Sequence, residues 1–267
     1  MATIAMQSAA SGLRSLDVRL DVIANNLANV NTEGFKSSRV NFEDLMYIER
    51  AQPGVENNNG DQRPTGLYVG LGVRASGTQQ NFDQGAPVPG GTTDMMIEGK
   101  GFFKVRVEDA LGGGEAYTRA GNFVPNANGT LVLANSDGRI LEPEITIPDD
   151  ATAVQIDPSG EVRVATSGNP TPTAIGDIKL TRFVNEAGLT QVGTNLWVES
   201  AASGAPIEGD PGTENFGTIR SNSLEGSNVD PSRELIELIR TQRAFEMNSQ
   251  AIRAADETLQ SVAQLRR

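Results

Sequence analysis

Apolar side chains recur at alternating spacings of three and four residues along the start of the chain. They are, in order, Met6, Ala9, Leu13, Leu16, Leu20, Ile23, Leu27 and Val30. This spacing places one continuous apolar stripe along a helix. The polar run 29–34 that follows contains Asn and Gly, which adopt the left-handed backbone conformations that end helices. The sequence therefore predicts a helix over about residues 3–30.

A second stripe with a spacing of seven residues lies near the other end of the chain. It consists of Leu238, Phe245, Ile252 and Leu259, with Thr241, Asn248, Ala255 and Val262 at the intervening positions. Asp230 can cap this segment, and Pro231 stands where a missing amide hydrogen costs nothing. We therefore predict a helix from Pro231 to about residue 264.

Two slender amphipathic helices leave much apolar surface uncovered, even if they pair with each other. We predict that further copies of the chain cover it, along an assembly seam made of Leu13, Leu16, Leu20, Ile23, Leu27, Leu238, Phe245, Ile252, Leu259 and Val262. The alternative is that the helices bury these stripes inside one ordinary globular protein. Because the first stripe is unbroken and has a counterpart at the other terminus, assembly is favoured.

Between about residues 67 and 219 the chain shows β signals instead. Short runs rich in Val, Ile, Phe and Thr alternate with turns such as Asn128-Gly129 and Asp137-Gly138. A polar stretch with Pro and Gly at 52–64 is predicted to be an exposed loop that governs contacts between subunits. The predicted fold class is α+β: a discontinuous, coiled-coil-like helical domain from both termini, and a mainly β central body.

The domain prediction follows from this order of elements. A terminal helical polymerisation domain is expected from 1–34 together with 230–267. An extended connecting domain is expected from 35–75 with 207–229, and a β-rich outer domain from 76–206.

Composition removes several classes of chemistry. The chain has 267 residues, with no Cys and no His, so thiol nucleophiles, disulfides and most zinc or haem sites are excluded. Its net charge of -12 argues against binding nucleic acid. Basic and acidic residues balance within 1–36 and within 229–267, so the acidic excess lies in the middle. Neutral ends can pack against copies of themselves without repulsion.

Two patterns could suggest a catalytic or phosphate site, and we interpret both as structural. The Gly99-Lys100-Gly101 segment lacks the Ser or Thr that must follow the Lys of a phosphate-binding loop, so it is a turn that leads into a strand. The acidic pairs, such as Asp149-Asp150, are typical of the surface of a strongly acidic protein. We predict no catalytic residue, no metal and no cofactor. No stretch is apolar enough to span a membrane, and Met1 to Met6 lacks the features of a secretory signal.

Four segments resemble the flagellar rod and hook proteins. They are ANNLANVNTEGFK at 24–36, IEGKGFFKV at 97–105, YTRAGNF at 117–123 and QRAFEMNS at 242–249. The residues that carry this resemblance most clearly are Asn25, Asn26, Leu27, Asn29, Gly34, Phe35, Gly99, Gly101, Phe102 and Phe103. Within the family, the length and the segment from Gln52 to Val73 resemble the subfamily of the distal rod.

The resemblance implies a structural role rather than an enzymatic one. Family members stack as a helical tube that transmits torque from motor to hook, with paired terminal helices inside and β domains outside. The implied location is the basal body, in the rod that crosses the periplasm, after export through the flagellar type III apparatus. The implied partners are further copies of the chain, proximal rod proteins, hook or junction proteins, and the surrounding P and L ring proteins.

Two alternatives remain open from the sequence. The chain could be another rod or hook-type axial subunit of the same family. It could also be a peptidoglycan-binding or carbohydrate-active β domain, which would need clustered acids or an aromatic platform. With one Trp and three Tyr, the chain has few residues for such a platform.

Overall fold

The computed structural model describes residues 2–54 and 64–265. The described residues form two compact units. The first comprises 2–28, 38–54, 64–79 and 230–265, and the second comprises Asn29–Ser37 and Gln80–Val229. The three-part division expected from the sequence stays a prediction. Residues 55–63, which make up most of the predicted 52–64 loop, lie outside the described part of the chain.

The first unit contains the two long helices and four strands. In chain order these are α1 (Ala2–Ala28), β1 (Ser38–Asp44), β2 (Tyr47–Ala51), β3 (Leu67–Gly70), β4 (Val73–Gln80), and, after the second unit, α2 (Pro231–Leu265). Strand β1 pairs with β4, and β2 pairs antiparallel with β3. Both helices therefore lie where the apolar spacings predicted them, to within about two residues at each end.

Asp230 caps α2 as predicted. Its Oδ1 accepts hydrogen bonds from the backbone amides of Ser232, at 2.9 Å, and Arg233, at 3.3 Å. These amides belong to the first turn and have no partner within the helix. A side chain that is local in sequence therefore fixes the start of α2.

Serines along one side of α1 bond to the strands beside it. Ser8 Oγ donates to the carbonyl of Gly70 at 3.3 Å, and Ser11 Oγ accepts from the amide of Val73 at 3.2 Å. Ser15 Oγ donates to the carbonyl of Val73 at 3.4 Å. The polar side of α1 is thus used for packing against backbone, which the apolar pattern alone does not predict.

The β signals begin earlier than the sequence prediction placed them. Strands β1 and β2 occupy residues 38–51, although the prediction started the β region at about residue 67. Most side chains of these two strands are exposed. Val40 and Phe42 alternate with polar residues in β1, but β2 shows no such alternation. Backbone pairing with β4 and β3 establishes them instead.

The second unit is the mainly β body. Its strands are β5 (Pro87–Pro89), β6 (Met95–Glu98), β7 (Phe102–Arg106), β8 (Glu115–Thr118), β9 (Phe123–Pro125), β10 (Leu131–Leu133), β11 (Leu141–Glu142), β12 (Ala151–Ile156), β13 (Glu161–Thr166), β14 (Asn169–Asp177), β15 (Leu180–Arg182), β16 (Thr190–Gly193), β17 (Leu196–Val198), β18 (Ile207–Gly209), β19 (Thr218–Ser221) and β20 (Ser223–Glu225). Short 3₁₀ turns lie at Gly112–Gly114 and Glu186–Gly188.

The largest sheet of this unit has seven strands, ordered β16-β17-β8-β7-β15-β18, with β11 also paired to β7. Strands β12, β13 and β14 form a second sheet, and β9–β10, β6–β19 and β5–β20 are separate antiparallel pairs. The short strands predicted between about residues 67 and 219 are therefore confirmed.

Strand β7 supplies side chains to two separate apolar clusters. Because successive side chains of a strand point to opposite faces, Phe102 and Phe103 serve one cluster each, and both are fully buried. Phe103 packs edge-to-face on Phe123, with ring centroids 5.4 Å apart. Phe102 packs edge-to-face on Trp197 at 5.9 Å. The central sheet is thus covered on both faces.

The Gly99-Lys100-Gly101 segment is the turn between β6 and β7, as expected. Gly99 has φ +112° and Gly101 has φ +139°, conformations that side-chain-bearing residues rarely adopt. Neither α1 nor the described part of α2 has an apolar stretch of the length and hydropathy needed to cross a membrane.

Candidate assembly surface

Small and polar residues take part in the contact between the two terminal helices. Gly12 of α1 lies against Asn248 of α2, and a Cβ at Gly12 would stand 3.4 Å from the Asn248 amide nitrogen. Arg19 donates to Glu237 at 2.5 Å, and Asn26 donates to Glu234 at 3.3 Å. The Arg19–Glu237 pair is partly exposed, so it contributes less than about 1 kcal/mol. These contacts fix the register of the pair more than they stabilise it.

The predicted seam residues are only partly covered within one chain. On α1, Ile23 is buried, while Leu13, Leu16, Leu20 and Leu27 are half-buried. On α2, Leu238 and Ile252 are half-buried, whereas Phe245 and Leu259 remain 36% and 37% exposed. The side chain of Val262 lies outside the described residues. Most of the predicted seam therefore keeps apolar surface open to solvent.

Among the described side chains of α2, the most deeply buried is a polar one, which the sequence analysis placed at an intervening position of the apolar stripe. Thr241 is 2% exposed, and its hydroxyl donates to the carbonyl of Glu237 at 2.7 Å. Because that hydroxyl is satisfied within its own helix, the residue can face α1 at little cost. The sequence signal for the burial of Thr241 was its position within the seven-residue repeat of α2.

A second apolar surface on α2 was missed entirely. Ile236, Ile239 and Met247 are 51%, 50% and 63% exposed, and Leu235 beside them is also exposed. These residues lie on the side of α2 turned away from Thr241, since successive residues advance by about 100° around a helix. The spacing of three residues between the apolar Ile236 and Ile239 was the signal in the sequence, and these residues lie outside the stripe of seven-residue spacing.

Asn26, in the first resemblance motif, is held by backbone hydrogen bonds on both sides of its amide group. It is 2% exposed and binds the backbone of Ser38 twice, donating to its carbonyl at 2.9 Å and accepting from its amide at 3.0 Å. Asp, which cannot donate, would lose one of these bonds. Asn29 lies just beyond α1 and accepts from the Thr32 hydroxyl at 3.1 Å, while Asn25 is on the exposed side of α1.

The Gly-Phe-Lys end of that motif docks against the β body's own segment 117–123. Gly34 has φ +67°, and a Cβ there would stand 2.6 Å from the backbone nitrogen of Ala120. Its amide donates to the carbonyl of Glu225 at 2.7 Å. Phe35 is half-buried. Only glycine fits this close approach of two backbones.

A buried charge cluster completes the docking. The ammonium of Lys36 donates to Glu225 Oε1 at 2.7 Å and to the carbonyl of Asp83 at 2.8 Å. Arg119 Nη1 donates to the other Glu225 oxygen at 3.5 Å, and the amide of Gly85 donates to Oε1 at 2.9 Å. The side chains of Lys36 and Glu225 have no solvent exposure, and that of Arg119 has 2%.

Burial dominates the electrostatics of this cluster. It lowers the pKa of Lys36, although the attraction of Glu225 opposes that effect. Burial likewise lowers the pKa of Arg119, whose guanidinium lies 5.2 Å from the Phe102 ring centroid. Two cations therefore share one carboxylate away from water. Removing that carboxylate would leave both without an ion-pair partner, although Glu186 also attracts both more weakly.

Sequence reasoning identified Lys36 and Arg119 within motifs but did not identify Glu225. Glu225 is the last residue of β20 and is separated from Lys36 by 189 positions. A single acidic residue in a chain with 34 acids carries no local signal of burial. Only the fold shows which acid the two cations share.

Three family models match the chain. The model described as the flagella basal body rod protein matches residues 6–36. The flagellar hook protein FlgE/F/G D1 domain matches 96–164, and the flagellar basal body rod FlgEFG protein C-terminal region matches 220–265. The flagellar basal-body rod protein FlgG of Caulobacter vibrioides is 43% identical over 98% of this chain and 99% of its own length.

The chain belongs to the flagellar basal-body rod protein family.

Other relatives agree with this assignment. FlgG of Borreliella burgdorferi is 40% identical, over 98% of both chains. FlgF of Caulobacter vibrioides, also a basal-body rod protein, is 37% identical over 85% of this chain and 83% of its own. The solved hook protein FlgE2 of Helicobacter pylori is 14% identical, covers 71% of this chain and 43% of its own, and has a TM-score of 0.23. The assignment therefore stands on the sequence relatives alone.

The charge cluster connects the three parts of the chain that match the family models. Each of the three family-matched ranges contributes one member: Lys36 lies in the first, Arg119 in the second and Glu225 in the third. Three segments that are far apart in the chain thus meet at one carboxylate. We infer that this rod-family chain uses the cluster to fix where the segment after α1 docks.

Replacing Gly34 by Ala should destabilise the β body more than the same change at a matched glycine. Gly138 has a similar φ of +56°, but no atom lies within 4 Å of a Cβ added there. Both variants carry the left-handed backbone penalty of about 1–2 kcal/mol, and only Gly34→Ala adds the overlap with Ala120. Urea unfolding followed by the fluorescence of Trp197, the single tryptophan, measures both. Equal losses would contradict the close-approach argument.

Glu225→Gln should lower the free energy of unfolding of the β body by about 3–5 kcal/mol, because it leaves two buried cations unpaired. Lys36→Met should cost less, since Glu225 keeps Arg119. The control is Glu208→Gln, which removes an exposed partner of Lys104 and should cost less than about 1 kcal/mol. The same fluorescence measurement ranks the three variants, and a loss for Glu225→Gln no larger than the control's would show that the cluster is not a stability determinant.

Proposed function

We propose that this chain is a structural subunit of the distal flagellar rod, which polymerises through its terminal helices into a helical tube and transmits torque from motor to hook. The single observation that carries the proposal is the incomplete cover of the helix pair. Phe245, Leu259 and four leucines of α1 keep apolar surface exposed in one chain. Such a surface is stabilised when other copies bury it.

Packed helices and a stiff β body also suit a polymer that transmits torque. Packing between neighbouring helices would resist sliding along the axis of the tube, because interdigitated side chains cannot move past one another without opening voids. The β body, with a sheet covered on both faces by Phe102 and Phe103, provides a stiff module for lateral contacts. A contact that repeats head-to-tail without closing generates a filament rather than a ring.

The partners and the location follow from the family and extend this proposal. The neighbours would be copies of the chain, proximal rod proteins below, hook or junction proteins above, and the P and L ring proteins around the rod. The chain would reach this place through the flagellar type III export apparatus. Immunogold labelling of isolated basal bodies tests the location: label on the hook would favour the alternative of a hook-type axial subunit.

We also propose that the chain is not an enzyme. The rival function, a carbohydrate-active or peptidoglycan-binding β domain, needs aromatic side chains open to a sugar. Trp197 instead packs against both Phe82 and Phe102, and its indole N–H donates to Gln80 at 2.7 Å. Tyr117 is buried in the same cluster. A muramidase assay on the purified chain tests this rival directly, and measurable turnover would overturn the structural assignment.

Leu20→Asp and Ile252→Asp should each block rod assembly while the β body stays folded. Both side chains are half-buried on the helices, and burying an unpaired carboxylate between copies costs several kcal/mol. The matched control is Val184→Asp, at a side chain of the β body that is 80% exposed and should tolerate the charge.

The measurement combines electron microscopy of basal bodies with the thermal unfolding of each purified variant, followed by Trp197 fluorescence. The expected result is no rods for the two helix variants, normal rods for the control, and three similar melting curves. Normal rods from Leu20→Asp and Ile252→Asp would show that the helix seam is not an assembly interface.

A further inference from the structure

The outer face of α2, on the side turned away from α1, combines apolar and basic side chains. We define it by Ile236, Ile239, Arg240, Arg243 and Met247, which fall within an arc of about 100° around the helix. All five are exposed. This face is not part of the predicted heptad seam, and nothing in the first unit's described residues covers it.

The charge of this α2 outer face is unusual in a chain with a net charge of -12. Two arginines lie within it and no acid does, although Glu246 borders it. Arg240 pairs with Glu237 of its own helix at 3.1 Å, with 72% of its side chain exposed. Arg243 makes no ion pair with any residue in the described part of the chain. The face is therefore apolar, basic and available.

The outer face of α1 carries the opposite charge. We define it by Asp17, Val18 and Asp21, all exposed, with the half-buried Leu20 beside them. Neither aspartate has an ion-pair partner among residues 2–54 and 64–265. Arg14 is also exposed on this side of α1, so the local sum remains one negative charge.

The two faces match in spacing as well as in charge. Arg240 and Arg243 are three residues apart, or about 4.5 Å along a helix, and Asp17 and Asp21 are four residues apart, or about 6 Å. Long arginine side chains can accommodate this difference. Val18 lies beside the aspartates, as Ile239 lies beside the arginines. Two helices laid together here can pair both charges over an apolar contact.

We propose that the α2 outer face of one copy packs on the α1 outer face of a second copy of this chain. The inference rests on the proposed function and names the surfaces that its polymer uses. Contacts between like faces are disfavoured, because they would set arginine against arginine or aspartate against aspartate. The contact is therefore heterologous: each copy uses one face on each neighbour, and the series extends without closing.

A charge-swap experiment tests the pairing. Asp21→Arg and Arg243→Asp are made separately and together, each as the sole copy of the chain in a flagellated cell. Each single reversal places like charges together and should lower the fraction of cells with complete rods at least tenfold, as expected for about 1.4 kcal/mol or more per contact. The combined variant restores opposite charges and should return to within about twofold of the unaltered chain.

The matched control applies the same reversals away from the proposed contact. Asp149→Arg and Arg220→Asp change exposed residues of the β body that make no ion pair with the described residues. These variants should assemble normally, singly and combined. Far-ultraviolet circular dichroism and Trp197 unfolding confirm that all variants fold. Single reversals at Asp21 and Arg243 that assemble normally, or a combined variant that is not rescued, would overturn the inference.

Crosslinking gives an independent measurement, since the chain has no cysteine of its own. Val18→Cys and Ile239→Cys in one chain should yield a ladder of covalent multimers when isolated basal bodies are treated with a short bis-maleimide. Val18→Cys combined with Val184→Cys is the control and should yield none. Dimers from Val18→Cys alone would indicate a contact between like faces and would contradict the heterologous arrangement.

The outcomes separate this inference from the proposed function. If Ile252→Asp blocks rods while the charge reversals have no effect, the helices assemble through other faces and only the inference fails. If Ile252→Asp leaves rods normal as well, the proposed polymerisation through the terminal helices fails with it.

Discussion

The buried ion pairs of Glu225 with Lys36 and Arg119 hold together segments of the β body that are far apart in the sequence. The rest of this unit depends on that contact. Removing three charged groups from water carries a large desolvation free energy, and the attraction between such groups offsets little more than that penalty. The lowered pKa of Lys36 has the same origin, since burial outweighs the neighbouring carboxylate. We therefore interpret the cluster as a device for specificity. Only one docking of the Gly34–Lys36 segment gives the ammonium its carboxylate.

The close approach at Gly34 reinforces that specificity by shape. Its amide bonds to the carbonyl of Glu225, and its missing side chain leaves room for the backbone at Ala120. The residue thus contributes to the same junction as Lys36, two positions further along. The charge of Lys36 requires the carboxylate of Glu225, and the backbone at Gly34 accepts only glycine. Both requirements favour the same docked arrangement, and such agreement separates one fold from similar alternatives.

The helical unit follows a different principle. Gly12 lies against Asn248, Arg19 pairs with Glu237, and Thr241 is buried on α2, so small and polar residues take part in the contact between its helices. Isolated helices gain little stability from backbone hydrogen bonds alone, and most of their stability in proteins comes from packing an apolar face. The leucines that such packing needs are left half-open. A polymer subunit benefits from this division, because polar contacts fix the pair while apolar surface remains for neighbours.

Much of the architecture was determined by the sequence itself. The spacings of apolar residues gave both helices, Asp230 and Pro231 set the start of α2, and the glycines at 99 and 101 marked the turn before β7. These features are local, so a few neighbouring residues suffice to specify them. Only the tertiary structure decided that Glu225 pairs with Lys36 across 189 positions, that β2 is a strand, and that Ile236 and Ile239 stay exposed. Pairing and exposure depend on which distant segment lies alongside, and no local pattern of residues carries that information.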